Sequence, residues 1–118
     1  AILQARRHFR DFASAHHIGP PASSWYVRAK KSKLSTAIYY AEHRPDRLLL
    51  VVANLSRSSV TDTLVLDPSH LSQLGIRPAR QWRVTDAISG KAHESGAGTL
   101  EVTVGANGYV LFMVHSEP

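Results

Sequence analysis

A dense apolar run stands near the centre of this chain. Residues Leu48–Ser56 contain seven apolar residues in nine and end on the polar sequence Asn-Leu-Ser. The run is too short to span a membrane, which takes about 20 apolar residues, and its length and branched side chains favour a strand covered on both faces. A short helix would have the same composition, but the polar stretch 56–59 and the apolar stretch Val60–Leu66 that follow indicate strand, turn and strand. We therefore predict that Leu48–Leu55 is the central strand of a packed sheet.

Similar stretches recur along the chain, separated by turn residues. Asn107-Gly108 is among the strongest short hairpin signals. Residues Asp67–Gly75 predict a single helical turn, in which Pro68 takes a first-turn position and Gly75 ends the helix. Six short strands with tight turns indicate an all-β fold, an antiparallel β-sandwich of about six to eight strands. The predicted strands are Leu34–Glu42, Leu48–Leu55, Val60–Leu66, Gln81–Asp86, Thr99–Val104 and Tyr109–His115.

Hydrophobic alternation is regular in one predicted strand and broken in another. Leu100, Val102 and Val104 alternate with polar residues, which places their side chains on one face. In the strand Val60–Leu66, Asp62 falls at a position that the alternation assigns to the apolar face. We expect either a bulge or a solvent-exposed start to that strand.

The beginning of the chain differs from the rest. Apolar residues at near-helical spacing predict a short amphipathic helix over residues 2–15, and His16–Pro21 contains the Gly and paired Pro that end it. We therefore divide the chain into a helical and linker lead-in, residues 1–32, and a β-sandwich domain, residues 33–118. Because the chain begins at Ala1 and shows no signal-peptide pattern, we expect a piece of a longer protein, with the lead-in packed on a preceding domain. The apolar residues of the predicted helix are Ile2, Leu3, Phe9 and Phe12.

The formal charge of +5 at pH 7 is unevenly distributed. Residues 1–47 hold nine Lys and Arg against three Asp and Glu, whereas residues 48–118 hold five against six. A nucleic-acid-binding domain would place a basic stripe on its folded face, with stacking aromatics where the target is single-stranded. The basic run Arg28–Lys33 is short and indicates a solvated segment. We expect neither a nucleic acid nor a membrane as a partner.

Residue types needed for catalysis and metal binding are scattered or missing. Cysteine is absent, which excludes disulfides, thiol catalysis and cysteine-ligated metals. The seven histidines show neither His-x-x-x-His nor His-Glu-x-x-His spacing, so we expect no metal and no cofactor. Glycoside hydrolysis takes two carboxylates about 5–10 Å apart, and no pair of acids converges by spacing alone. We expect Asp67 to be the N-cap of the helical turn and Asp86, at a strand-to-turn corner, to bond nearby backbone N–H groups. We therefore predict no catalytic residue in this chain.

Aromatic rings are the remaining candidates for binding, because a pyranose ring can stack on an exposed aromatic face while polar side chains bond its hydroxyl groups. Trp25 follows a Pro-rich segment, Tyr40 alternates with Tyr39 so that one of the two faces outward, and Trp82 stands near the start of a strand. The predicted carbohydrate-binding residues are Trp25, Tyr40 and Trp82. The competing interpretation is that these rings belong to the core or pack on a neighbouring domain.

Asn54-Leu-Ser56 has the form of an N-glycosylation sequence. It lies at the end of the predicted buried strand. We therefore expect the Asn54 side chain to cap the strand end rather than to carry a glycan.

Several segments of the chain follow one another in an order that is typical of one group of domains. Trp82–Gly90 is similar to the V-x-D-x-x-T-G corner of these domains, with Ser89 where the pattern has Thr. Together the segments cover about two thirds of the chain, from Lys33 to Val114. They resemble the C-terminal β-sandwich domains that follow the (β/α)8 barrel in α-amylase-type and related glycoside hydrolases. The segments are Ile38–Tyr40, Val51–Ser56, Val65–Asp67, Leu74-Gly75, Trp82–Gly90 and Gly108–Val114.

The lead-in adds to this resemblance. Phe9–Phe12 with Trp25 is similar to the tail that leaves the barrel in some uncharacterised glycoside-hydrolase-like proteins. In such enzymes the catalytic carboxylates lie on the barrel, and the sandwich packs on it. The resemblance therefore implies a non-catalytic accessory domain whose partner is the preceding catalytic domain of a glycoside hydrolase.

Two other functions remain open on the sequence alone. One is an autonomous carbohydrate-binding module, with a polysaccharide as its partner. The other is an interaction domain that uses residues 1–33 as a basic arm. If the parent protein is a secreted polysaccharide-degrading enzyme, its location is extracellular or periplasmic.

Overall fold

A computed structural model describes residues 16–31, 34–41, 45–77, 81–93 and 98–117. Within these ranges the chain forms nine strands, one 3-10 helix (Ala22–Trp25) and one α-helix, α1 (Pro68–Gln73). The all-β fold class is confirmed. The strand count exceeds the predicted number because β1, β2 and β7 have only two or three residues and leave no periodic pattern. The strands are β1 (His16–Ile18), β2 (Val27–Ala29), β3 (Ser35–Tyr40), β4 (Arg47–Ala53), β5 (Val60–Leu66), β6 (Gln81–Asp86), β7 (Ala92–His93), β8 (Thr99–Val104) and β9 (Tyr109–Glu117).

The strands form two antiparallel sheets that pack as a sandwich. The larger sheet has the order β1-β3-β4-β9-β6-β7, and the smaller has the order β2-β5-β8. In β4, Leu50 stands opposite Ile38 of β3 on one side and Phe112 of β9 on the other. The prediction that the run at Leu48 forms a central strand is therefore confirmed.

The sandwich core lies between the two sheets. Alternate side chains of β4 and β9 meet alternate side chains of β5 and β8 there, because successive residues of a strand point to opposite faces. Helix α1 contributes the buried Leu71 to the same core. Fully buried strand residues in this core are Val27, Ile38, Leu48, Leu50, Val52, Leu64, Leu66, Val84, Leu100, Val104 and Val114.

A second apolar cluster lies on the opposite face of the larger sheet. Leu49 and Val51 of β4 point away from the sandwich core, and Met113 and Leu111 of β9 stand directly opposite them. Leu49 is 0 % exposed, and Leu111 and Met113 are also buried. The larger sheet is therefore apolar on both faces at its centre. The outer-face cluster, as we call it, comprises Leu49, Leu111, Met113, Ala41 and Ala87, with Tyr39, Val51 and Ile88 partly buried against them.

Asp62 departs from both expectations for its strand. β5 pairs with β8 without interruption, so there is no bulge. The Asp62 side chain is buried, and its carboxylate accepts hydrogen bonds from the backbone amides of Lys31 at 3.0 Å and Thr63 at 2.6 Å. A buried acid is tolerated here because backbone donors satisfy it.

The Asn54 side chain links the ends of two strands in different sheets. Its Nδ2 group donates to the carbonyl oxygens of Ser58, Val104 and Gly105 at 2.9, 3.0 and 3.2 Å. Its Oδ1 atom accepts from the amide and hydroxyl of Ser56. The predicted role of Asn54 at the strand end is confirmed, and the same bonds occupy the nitrogen that a glycan would modify.

The predicted turn residues behave as expected. Asp67 precedes α1 and accepts a hydrogen bond from the His70 amide at 3.0 Å, which is the geometry of an N-cap. Gly75 follows the helix with φ of 86°, a conformation that favours glycine. The Asp86 carboxylate accepts from two backbone amides of the turn that follows β6. Each of these side chains satisfies backbone groups where a regular element ends.

Strands β1 and β2 fall within the residues assigned to the lead-in. β1 pairs with β3 at one edge of the larger sheet, and β2 pairs with β5 at one edge of the smaller sheet. Residues 16–31 thus supply an edge strand to each sheet, and the boundary proposed at residue 32 falls after both. The predicted helix over residues 2–15, with Phe9 and Phe12, lies outside the described residues.

Candidate functional site

The three predicted carbohydrate-binding aromatics occupy different parts of the sandwich. Trp25 is the last residue of the 3-10 helix and is 64 % exposed. Tyr40 ends β3, Trp82 lies near the start of β6, and the larger sheet places β4 and β9 between these two strands. The fold therefore does not bring Tyr40 and Trp82 together.

Trp82 is a core residue. Its side chain is 4 % exposed and packs in the sandwich core on the same face of β6 as Val84. Core neighbours cover its ring, which supports the competing interpretation of Trp82 as a core aromatic. Polar and apolar residues alternate along β6, and that pattern already placed Trp82 on the inward face.

Tyr40 also faces the sandwich core. It is partly buried against the core, and its ring centre lies 5.1 Å from that of His16 on β1. Tyr39 instead belongs to the outer face of the larger sheet, where its ring lies 4.6 Å from His17. Of the three predicted residues, Trp25 is the one with a largely exposed ring.

The backbone on both sides of Trp25 is anchored by hydrogen bonds. Ser23, in the same 3-10 helix, is buried and donates its hydroxyl to the Thr36 carbonyl oxygen of β3 at 2.6 Å. The Thr36 hydroxyl lies 3.1 Å from Ser23 Oγ and 2.9 Å from the Val27 carbonyl oxygen. The Tyr26 amide donates to the Ser23 carbonyl oxygen at 3.0 Å. An ordered support therefore holds the exposed indole.

Three polar side chains form a series of contacts that begins at the Trp25 ring. The His70 ring lies 5.6 Å from the Trp25 ring with an interplanar angle of 85°. His70 Nδ1 lies 3.1 Å from Asp67 Oδ1, and Arg28 Nη1 lies 3.4 Å from Asp67 Oδ2. Trp25, Arg28, Asp67 and His70 thus form a continuous group, which we call the Trp25 cluster.

The charge state of the cluster follows from these contacts. The hydrogen bond from the His70 amide lowers the pKa of Asp67 below its ordinary value, and the His70 side chain and Arg28 lower this pKa further. Asp67 is therefore ionised at neutral pH and stands beside the Arg28 cation. The cluster combines an aromatic face, a guanidinium group and a carboxylate at one edge of the sandwich.

Sequence reasoning pointed to Trp25 but not to its neighbours. The sequence predicts a solvated basic run at Arg28 and a helix cap at Asp67, and His70 is one of seven scattered histidines. They meet because β2 pairs with β5, whose end leads directly into α1. The Asp67 amide donates to the Tyr26 carbonyl oxygen at 2.8 Å, which joins the two segments beside the ring.

A second polar group lies at one end of the outer face. His115 of β9 stands between Arg47 of β4 and Arg83 of β6. Burial lowers the pKa of His115, and the charges of Arg47 and Arg83 lower this pKa further, against the opposing effects of Asp46 and Glu117. Arg47 donates to Asp46 at 3.1 Å, and this bond is the main cause that lowers the pKa of Asp46.

Within the described ranges, no group of three or more His, Asp or Glu side chains is arranged to hold a metal ion. No helix in the described part of the chain is long and apolar enough to cross a membrane. Three acids are bound by backbone amides and so serve the fold: Asp62, Asp67 and Asp86.

Comparison with known proteins gives similarity of structure alone. No protein-family profile matches the sequence, and no curated protein matches it. An alpha-amylase of Anoxybacillus, described as giving insight into a new glycosyl hydrolase subclass, is 10 % identical and covers 88 % of this chain with a TM-score of 0.52. AmyP, solved in complex with maltotriose, is 14 % identical and also covers 88 % of this chain, with a TM-score of 0.53.

The matched regions are small parts of those proteins. This chain spans 18 % of the Anoxybacillus enzyme and 17 % of AmyP. Its β-sandwich therefore has the fold of a region within much larger chains, and the resemblance to glycoside-hydrolase domains is confirmed at the level of fold.

Proposed function

We propose that this chain is the C-terminal accessory domain of a glycoside-hydrolase-like protein, where it packs on and stabilises the preceding catalytic domain. Two larger proteins contain the same fold as less than a fifth of their length, and one of them is an alpha-amylase. Its partner is a catalytic barrel, and the domain itself carries no catalytic residue.

The outer-face cluster is the observation that carries this proposal. In an antiparallel sandwich one face of each sheet normally meets water and alternates polar residues with the buried ones. The larger sheet instead buries Leu49, Leu111 and Met113 on its outer face. These three side chains are already buried within the chain, so the apolar surface left for a covering domain is formed by the partly buried Val51 and Ile88 around them.

The path of the chain also favours the outer face of the larger sheet as the surface that packs on the preceding domain. The lead-in enters the sandwich at β1, an edge strand of the larger sheet, where His17 contacts Tyr39 on the outer face. The described part of the chain therefore begins at the edge of the larger sheet, beside its outer face. We assign the outer face, together with Phe9 and Phe12 of the lead-in, to packing in the parent protein.

The described acids support a non-catalytic role. Asp62 and Asp86 use their carboxylates to bind backbone amides, and the Asp67 carboxylate caps α1. A catalytic pair would need two carboxylates free to face a substrate across the scissile bond. These contacts support the proposal that substrate chemistry belongs to the catalytic domain.

A charge placed on the outer face tests the proposal in the full-length parent protein. We expect Val51→Lys, a half-buried outer-face residue, to speed the thermal inactivation of the catalytic domain at least about threefold, because a desolvated ammonium weakens packing. The measurement is residual hydrolase activity against heating time.

The matched control is Thr61→Lys, an exposed position on the outer face of the smaller sheet. We expect the Thr61→Lys parent protein to inactivate at the wild-type rate. Equal inactivation rates for Val51→Lys and wild type, or equal acceleration by both variants, would contradict packing through the larger sheet.

A further inference from the structure

We propose that the Trp25 cluster is a binding subsite for one pyranose ring of a neutral oligosaccharide. The ring would stack on the indole of Trp25, and its hydroxyl groups would bond Arg28 and Asp67. This function is separate from the packing role of the outer face and does not depend on it.

The exposure of the Trp25 ring is the first observation that favours a sugar subsite. The two tryptophans differ sharply, since Trp82 is 4 % exposed in the core and Trp25 is 64 % exposed on an anchored backbone. In an edge-to-face contact, the edge of one ring meets the face of the other. His70 therefore contacts at most one face of the Trp25 indole, and the high exposure leaves a face for a ligand.

The polar side chains supply the directional bonds that a sugar needs. Arg28 is 47 % exposed and has five N–H donors, of which its contact with Asp67 uses one. Asp67 is ionised and accepts hydrogen bonds, while a sugar hydroxyl both donates and accepts. His70 holds Asp67 from the other side at 3.1 Å. The cluster thus matches a ring with an apolar face and a polar rim.

The charges of the cluster bear on the kind of ligand. Arg28 Nη1 lies 3.4 Å from Asp67 Oδ2, and Asp67 is connected to the Trp25 ring through His70. The paired charges oppose each other, so the subsite suits a neutral ligand better than an anionic one. The cluster also joins the 3-10 helix, β2 and α1, away from the apolar centre of the larger sheet.

The test uses the 118-residue chain and its two indole N–H signals in nitrogen-15 NMR spectra. The probes are maltoheptaose, cellohexaose and xylohexaose, each at low and high salt. We expect at least one probe to shift the Trp25 indole signal and to leave that of the buried Trp82 in place. Binding should persist at high salt, because stacking and neutral hydrogen bonds are weakly screened.

Four variants separate this subsite from other exposed aromatics. We expect Trp25→Ala to weaken binding at least about tenfold and Trp25→Phe, which keeps a smaller face, about threefold. Arg28→Ala should weaken it by a similar factor of about three. Tyr109→Ala, which removes a ring that is 61 % exposed at the start of β9, should leave the affinity unchanged.

Three results would overturn the inference. The first is that no probe shifts the Trp25 indole signal. The second is that Trp25→Ala and Tyr109→Ala weaken binding equally. The third is that Trp25→Ala accelerates inactivation of the parent protein while no sugar binds, which would assign Trp25 to domain packing. None of these results bears on the Val51→Lys experiment, so the two proposals fail separately.

Discussion

The two sheets of this sandwich use their faces differently. In the smaller sheet, β5 and β8 alternate, with Leu64 and Leu100 inward and Thr61 and Thr103 outward, where their hydroxyls lie 2.9 Å apart. In the larger sheet, β4 and β9 are apolar on successive residues and bury side chains on both faces. Alternation of polar and apolar residues therefore indicates a sheet with one face exposed to solvent. A continuous apolar run indicates a strand whose side chains are buried on both faces of the sheet.

The largest expected effect compares the two faces of β4 directly. Leu50→Ala removes a side chain from the sandwich core, and Leu49→Ala removes one from the outer-face cluster. Because both leucines are 0 % exposed, we expect each substitution to lower the free energy of unfolding by about 2–5 kcal/mol. Urea denaturation measures the free energy of unfolding of both variants.

The control for this pair lies on the wet face of the smaller sheet. Thr61→Ala should cost less than about 1 kcal/mol, because it removes one exposed cross-strand contact. A Leu49→Ala variant as stable as Thr61→Ala would break the comparison, since the outer face would then contribute no packing.

A smaller effect is expected at Asn54, the residue that joins the two sheets. Asn54→Ala leaves the carbonyl oxygens of Val104 and Gly105 without their side-chain donor, at an expected cost of about 1–3 kcal/mol. Asn54→Asp should cost more, because a carboxylate would face these oxygens without a proton to donate. Thermal unfolding of the two variants gives the order, and a stable Asn54→Asp variant would contradict it.

The smallest effect is a pH dependence at the polar end of the outer face. The folded-state pKa of His115 is lowered by burial and by Arg47 and Arg83, so the unfolded chain binds the proton more readily. The contribution of His115 to stability is therefore complete above its unfolded pKa of about 6.5 and is lost as the pH falls towards the lower folded value.

The His115→Gln variant isolates this contribution. Between pH 7.5 and 5.5 it should lose less stability in urea than the wild-type chain does. An unchanged slope in His115→Gln would mean that burial and the two arginines do not lower the pKa of His115 in the folded state.

Much of the sheet structure could be read from local pattern. Val60–Leu66, Gln81–Asp86 and Thr99–Val104 match β5, β6 and β8 residue for residue. These strands have six or seven residues, enough for a period of two to be recognised. β1 and β2 are too short for that, and they became strands because β3 and β5 offered unpaired edges.

The candidate site was predicted only in part, because exposure depends on packing between sheets. Trp25 and Trp82 each follow a polar residue in the sequence. In the structure Trp25 lies on the surface and Trp82 lies in the core. The alternation of β6 separates them, whereas nothing local places His70 beside Trp25. That contact is made across the β2–β5 pairing and the start of α1.

The sequence by itself determined the central strand, the wet and dry faces of β8, the N-cap at Asp67 and the strand-end role of Asn54. Each of these depends on side chains a few residues apart, where periodicity and local hydrogen bonding act. Only the tertiary structure decided that Asp62 is buried, that the larger sheet has a second apolar cluster, and that Arg28 and Asp67 are linked through His70 to an exposed indole. Those outcomes depend on which strands become neighbours, and strand pairing joins residues that are far apart in the chain.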